Sequence, residues 1–250
     1  ITQVLAEIDK CIWCCEHYAN NAEIYLQDKQ IKIESQKSYI SYQPLGPVFA
    51  IMPWNFPFWQ VFRFACPTLM AGNAGLLSHA PISTGTGQAI EEIFIKAGFP
   101  NNLFKSLIIS NEVASDVIAN KKVIAVTLTG SERAGSIVGA QAAKNLKKVV
   151  LELGGSDPYI ICDDADLEHA ANQILASRMN NSGQVCIAAK RVIASNNILP
   201  ELQNKIIEGL KNYQMGEPRD PLCNFGPMAR KDLRDEVHKQ VRLTIEQGAK

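Results

Sequence analysis

Between residues 47 and 153 the chain alternates five short apolar runs with four longer amphipathic ones, and that alternation leaves few folds open. Pro47 to Met52, Ala74 to Leu77, Ser106 to Ile109, Val123 to Leu128 and Val149 to Leu153 read as buried strands, with helical segments at 58–71, 84–97, 111–119 and 132–145 between them. Parallel neighbours need crossovers of this kind. The succession therefore predicts an α/β fold built on an open, doubly wound parallel sheet, with ligands beyond the carboxyl ends of its strands. Gly98, followed by Phe99-Pro100, is expected to stop one helix, and Asn111 to cap the next. Residues 31–46 alternate polar and apolar positions, as a two-stranded antiparallel excursion does.

Composition narrows the class further. With 46% apolar residues in 250, the chain can bury the core of one large or two ordinary domains. Its 25 Lys and Arg balance 25 Asp and Glu, so no net field draws it to nucleic acid or to an acidic membrane surface, and neither partner is expected. No apolar stretch approaches the roughly 20 residues that span a bilayer, and the first 30 residues lack a signal-peptide core. Seven cysteines without a disulfide-like framework fit reduced thiols, and the cytoplasm is the expected location. The chain begins at Ile1 in a helical pattern (Val4, Leu5, Ile8, Ile12, Cys15) and ends at Lys250, just after Gly248 is placed to cap another helix. We expect an internal fragment.

Three segments carry reactive chemistry. Asn181-Ser182-Gly183-Gln184-Val185-Cys186 offers a thiol, Leu151-Glu152-Leu153-Gly154-Gly155 a carboxylate, and Met52-Pro53-Trp54-Asn55-Phe56-Pro57 a carboxamide. These are the side-chain types needed to take an aldehyde through a covalent thioester. Taken singly, each has a plainer reading. A lone cysteine is more often a small buried apolar residue. A glutamate in an apolar strand costs several kcal/mol if buried without partners, so Glu152 is either on an exposed face or functional. Asn55 between Pro53 and Pro57 can simply form a turn. Thr129-Gly130-Ser131, with Gly135, follows a strand and opens a helix, where unsatisfied amides would receive a pyrophosphate. Gly85 and Gly87 read as helix-start sequence. Cys11, Cys14, Cys15, Cys66, Cys162 and Cys223 read as ordinary small apolar residues. Cys11 and Cys14 form a C-x-x-C, but on a helix and without a second ligand pair, so no metal site is expected.

These segments, in this order and along nearly the whole chain, resemble the signature motifs of the aldehyde dehydrogenase superfamily. The resemblance implies a Rossmann-like cofactor domain followed by the start of a second α/β catalytic domain. It assigns 1–30 to a helical part of the cofactor domain, 31–46 to an oligomerisation hairpin, 47–153 to the dinucleotide-binding domain and 154–250 to a truncated catalytic domain. It makes Cys186 the nucleophile, Glu152, 34 residues earlier, the general base, and Asn55 an oxyanion donor together with the Cys186 backbone N–H. NAD or NADP would lie against Ile51, Pro53, Trp54, Ser78, Gly130, Ser131, Leu153 and Gly154. Ser78 stands where the family usually has a lysine, and Pro81 where many NAD-preferring members have a glutamate. The family's downstream Glu-x-Phe-Gly-Pro segment is absent.

The string Leu76-Leu77-Ser78-His79-Ala80-Pro81 is similar to one bacterial branch of succinate-semialdehyde dehydrogenases, with His79 read as structural. In that branch an arginine eight residues after the Asn55 position grips the substrate's far carboxylate, which points here to Arg63. A second family arginine is Asn180 here, and Arg178, two residues earlier, is taken with Arg63 as a substrate-binding candidate. The expected partner is a small aldehyde, and the expected assembly a homodimer or homotetramer. Two other readings stay open at this stage: a non-catalytic remnant, inactive alone, and a cysteine hydrolase or acyltransferase using His17, His79, His169 or His238.

Overall fold

The computed structural model describes residues 2–249, which divide into two compact units between Gly154 and Gly155. In the first, helix α1 (Thr2–Leu26) leads to two short antiparallel strands, β1 (Lys29–Gln30) and β2 (Tyr39–Ile40). There follow β3 (Pro47–Met52), α2 (Trp59–Met70), β4 (Ala74–His79), a 3-10 turn at Pro81–Ser83 and α3 (Thr84–Lys96). β5 (Phe104–Ser106), α4 (Asn111–Ala119), β6 (Ala125–Thr129), α5 (Glu132–Lys144) and β7 (Lys148–Glu152) complete the unit. The five strands β3 to β7 form one sheet in the order β5-β4-β3-β6-β7, with every neighbouring pair parallel. This is the doubly wound sheet that the alternation predicts. Its winding reverses between β3 and β6, the switch point at which ligands collect in such sheets.

Period-2 side-chain alternation divides the core by sheet face. Ala50, Met52 and Leu77 pack with Val61, Phe62, Ile90, Phe94 and Phe104, joined by Cys11 and Cys14 of α1. Phe49, Val126 and Leu128 pack on the other face with Ile118 of α4 and with Val138 and Ala142 of α5. Removing a side chain the size of Phe, Leu or Ile from such a core typically costs 2–5 kcal/mol, so both layers are firmly specified.

Four local expectations need correction. The strand expected at Ser106 to Ile109 lies earlier, at Phe104–Ser106, because the Phe104 ring is anchored 4.9 Å from that of Phe94, whereas Ile108 is 64% exposed. The cap of α4 is Ser110, whose Oγ accepts from Val113 N–H at 3.4 Å, and Asn111 is the first helical residue. β7 is not a buried strand. It is an edge whose Leu151 packs toward α5 while Lys148, Val150 and Glu152 face outward, Val150 being 57% exposed. The antiparallel pair begins at Lys29, ahead of residue 31, closed by Ile31 N–H to Ser38 O at 2.9 Å, and its Tyr39 and Ile40 are exposed, so no core fixes its length. Gly98 ends α3 as expected, with φ at +88°.

The second unit is thinner. Parallel strands β8 (Pro158–Ile161) and β9 (Arg191–Ala194) pack with α6 (Leu167–Met179) and α7 (Leu199–Leu210) around Ala171, Ile174, Ala189 and Leu202. α6 is well capped: Asp166 accepts from Glu168 and His169 N–H, both at 3.0 Å. α8 (Lys231–Glu246) has no buried residue and ends at Gly248 with φ at +99°. Among the described residues, no helix is long and apolar enough to cross a membrane.

Candidate active site

Helices cover only part of the α2 face of the sheet, which leaves a cavity of about 330 Å³ over the outward faces of β6 and β7. Gln60, Arg63 and Phe64 of α2, Thr129 of β6 and Lys148, Val150 and Glu152 of β7 are among its lining residues. Arg63 is the hub. It donates from Nη2 to Gln60 Oε1 at 2.9 Å and to Thr129 Oγ1 at 3.3 Å, and its Nη1 lies 3.8 Å from Glu152 Oε2. The two charged side chains are 39% and 53% exposed. A pair this open contributes at most about 1 kcal/mol, so the guanidinium can exchange Glu152 for another carboxylate at little cost. Gln60 escaped the sequence reading, although its spacing three residues before Arg63 on an apolar helix was a usable signal.

Asn55 lies in the turn between β3 and α2, with its Oδ1 buried. Two contacts fix that turn. Glu7 of α1 accepts from both Phe58 and Trp59 N–H at 2.8 Å, supplying the cap that Phe58 itself lacks and placing a negative charge on a helix N-terminus. No local pattern could reveal it, since 51 residues separate Glu7 from Phe58. From β4, His79 holds the same turn: its Nε2 lies 2.9 Å from Pro57 O, and its Nδ1 lies 2.9 Å from Ala80 N and 3.2 Å from Met52 O. Burial pushes the His79 pKa below its ordinary value, favouring the neutral imidazole. The structural reading of His79 holds.

The turn beyond β6 faces the switch point from the other side. Ser131 caps α5, accepting from Ala134 N–H at 3.3 Å. The amides of Glu132 and Arg133 precede the first intrahelical bond, Gly135 N–H to Ser131 O, and so have no partner within the helix. Gly135 is needed for packing, because a Cβ there would come within 2.5 Å of Leu153 Cδ2. A glycine that brings a helix close to the sheet, one turn after a strand-to-helix junction, is how dinucleotide folds seat a pyrophosphate. The Glu132 and Arg133 amides, with the Ser131 hydroxyl beside them, fit such a group, while the Gly130 N–H is committed to Glu152 O at 2.9 Å. Ile51 and Ser78 are register partners on adjacent strands near the same carboxyl edge, Pro53 and Trp54 follow β3, and Leu153 and Gly154 follow β7.

Cys186 and Arg178 belong to the second unit. Cys186 sits half-buried between buried Val185 and Ala188, in the connection from α6 to β9. Before it, Asn181, Ser182 and Gly183 all adopt positive φ, at 48°, 55° and 76°. Such a run is unfavourable for Ser and is held by its surroundings. Ser182 Oγ donates to Gly226 O at 2.8 Å, and Gln184 Oε1 accepts from Ala229 N–H at 3.0 Å. Lys190 Nζ donates to Cys186 O at 2.7 Å and to Gly155 O. Arg178 is exposed and donates to Gly183 O at 3.2 Å, so here it supports the loop. Of the histidines, His79 is committed as above and His17 bonds the Tyr25 hydroxyl at 3.0 Å. Among the described residues, no cluster of His, Cys, Asp or Glu is arranged to hold a metal ion.

A five-stranded doubly wound sheet with these turns is matched by known proteins throughout. The model of the aldehyde dehydrogenase family covers residues 1–250, and the chain belongs to that family. It is 47% identical over 249 residues to the probable succinate-semialdehyde dehydrogenase (NADP(+)) of Synechocystis sp., aligning 100% of this chain with 55% of the relative. Against the succinate semialdehyde dehydrogenase (NAD(P)+) Sad of Escherichia coli, identity is 46% over 250 residues, covering 100% of this chain and 54% of the relative. The crystal structure of succinic semialdehyde dehydrogenase from Streptococcus pyogenes in complex with NADP+ superposes with a TM-score of 0.95 at 35% identity, covering 97% of this chain and 53% of that one. The chain spans about half the length of the curated relatives it matches.

Proposed function

We propose that the protein oxidises succinate semialdehyde to the dicarboxylic acid through a cysteine thioester, with NADP or NAD as the second substrate. The observation that carries the substrate class is the shared cavity of Arg63 and Glu152, in which a guanidinium with only a weak ionic partner is available to a distal carboxylate. In this reading Cys186 Sγ adds to the aldehyde carbon, and the oxygen, now negative, accepts from the Asn55 amide and the Cys186 backbone N–H. A nicotinamide dinucleotide, when bound, would supply the acceptor for the hydride that leaves the carbon bonded to Cys186. The thioester left on Cys186 is cleaved by a water whose proton Glu152 takes, which releases the acid and the thiol. Arg63 pairs with the far carboxylate throughout and sets the distance of the carbonyl from its anchor. Arg178 acts by holding the Cys186 loop.

The segments divide the work accordingly. Residues 47–153 hold the dinucleotide, with Ile51, Pro53, Trp54, Ser78, Gly130, Ser131, Leu153 and Gly154 around it, 154–250 present the nucleophile, and the pair near 31–46 joins subunits of a homodimer or homotetramer. Pro81 supports use of NADP, since it brings no carboxylate to repel a 2′-phosphate, and relatives with this activity are named for NADP(+). The test is steady-state oxidation of succinate semialdehyde by the whole protein with each dinucleotide. Cys186→Ala is expected to abolish oxidation while dinucleotide binding, followed by fluorescence titration, persists. Parental turnover in that variant would remove Cys186 from the mechanism.

A further inference from the structure

The first unit holds a second thiol centre, apart from the proposed chemistry. Cys15 of α1 and Cys66 of α2 lie with Sγ atoms 3.5 Å apart across the packed α1–α2 interface, although 51 residues separate them in sequence. Cys66 is buried at 7% exposure, whereas Cys15 is only partly covered and so within reach of a small solute. Cys11 and Cys14 stand nearby on α1, both buried. A disulfide has an S–S length of about 2.05 Å; closing 3.5 Å to that distance asks for a shift of roughly 1.5 Å, shared between two side chains.

We infer that Cys15 and Cys66 are a modification site that a hydroperoxide converts to an intramolecular disulfide, stapling α1 to α2. The Cys15 thiol gives its proton to solvent and the thiolate attacks one oxygen of hydrogen peroxide; the O–O bond breaks, Cys15 becomes a sulfenic acid, and the hydroxide that leaves takes that proton back as water. Cys66 Sγ then attacks the sulfenic sulfur, and the S–O bond breaks. The Cys66 proton departs with the hydroxide as a second water, so two thiols are oxidised by two electrons and one peroxide is reduced.

Exposure sets the roles, because Cys15 is the partly covered thiol of the pair and Cys66 the buried one. With Cys66 as the donor across the 3.5 Å contact, the Cys15 pKa is pushed down and the Cys66 pKa up. Burial pushes the Cys11 thiol up to about 12 and raises that of Cys14, so neither competes as the attacking thiolate. The staple would tie the helix that carries Glu7 to the helix that carries Gln60 and Arg63.

The experiment treats the whole protein with a small excess of hydrogen peroxide, blocks remaining thiols by alkylation and maps the peptides by mass spectrometry. Wild type is expected to lose two alkylatable thiols, at Cys15 and Cys66, and to yield one crosslinked peptide pair that dithiothreitol separates. Cys14→Ser should keep that crosslink. Cys66→Ser should instead leave a sulfenic acid on Cys15 that dimedone traps. A wild-type crosslink through Cys14, or a Cys15 that stays fully alkylatable after Cys186 is oxidised, would overturn the proposal, and the wild-type map decides even if a variant fails to fold.

Discussion

The two units hold their reactive groups in different ways. In Thr2–Gly154 the turn that carries Asn55 is clamped from one side by Glu7 and from the other by His79, and Arg63 is held by Gln60 and Thr129 over a sheet with buried layers on both faces. From Gly155 onward, Cys186 rides on a connection with three successive left-handed residues, held by a few hydrogen bonds beside a core of four buried side chains. The groups proposed to orient a substrate thus rest on a frame with a large reserve of packing energy. The proposed nucleophile rests on a loop whose conformation its neighbours impose. Substitutions should report this difference: exchanging a polar group on the frame should leave the fold intact and expose its chemical role.

The largest effect expected on the frame is at Glu152. Its side chain is 53% exposed on an edge strand, so Glu152→Gln should preserve the fold. Loss of a general base typically costs 10²–10⁴-fold, and here it should fall on hydrolysis alone. Single-turnover mixing should still show a burst of reduced dinucleotide, followed by a stall with a labelled acyl group on the protein. Steady turnover at the parental rate would return Glu152 to the status of a strand residue.

Next is Arg63→Ala. A hydrogen bond to a charged group contributes roughly 1.5–3 kcal/mol, and each 1.4 kcal/mol is about tenfold. The variant should therefore lose kcat/KM for succinate semialdehyde on the order of ten- to a hundredfold more than for an uncharged aldehyde of similar length. Taking the ratio cancels general damage to the frame. An unchanged ratio would withdraw the carboxylate specificity.

Legibility in the sequence follows the same division. The strands and helices of the sheet could be read because period 2 and period 3.6 are local signals, and helices at 59–70, 84–96, 111–119 and 132–144 lie within a residue or so of their expected spans. Failures occurred where a distant group decides: the Phe94 ring moved β5, and the absence of a second layer over one face left β7 half-exposed. Within the candidate site, motif residues were legible and their anchors were not. Glu7 and Gln60 carry no motif, and the Cys15–Cys66 contact joins cysteines that single-residue reasoning treats as inert.

At Glu7 the expected effect is on stability. Its carboxylate accepts two N–H groups at the start of α2, so Glu7→Ala leaves both donors to water or unpaired. By the same range for charged hydrogen bonds, the loss should be about 1.5–3 kcal/mol, read from denaturant midpoints. Hydrogen exchange should accelerate at Phe58 and Trp59 and remain unchanged at Ala188 and Ala189 in the second unit. Equal acceleration in both units would mean that the frame and the loop unfold as one, and the contrast drawn between them would fall.

The smallest effect is at His79 and depends on pH. Burial lowers its pKa in the fold relative to an unfolded chain, in which a histidine titrates near 6.5. Above that value the imidazole is neutral in both states and the bonds to Pro57 and Ala80 contribute in full. As pH falls below about 6.5 the unfolded chain binds a proton that the folded one does not, so stability drops with falling pH. Wild type should lose stability between about pH 7 and pH 5, while His79→Asn, less stable at neutral pH, should show a shallower dependence over the same range. The difference in slope between the two proteins isolates this histidine from His17, His169 and His238, which both retain. Because His79 closes on the Asn55 turn, hydrogen exchange in acid should rise first around Pro53 to Phe58, ahead of the Cys186 loop. Parallel pH slopes would show that the turn is fixed by Glu7 alone.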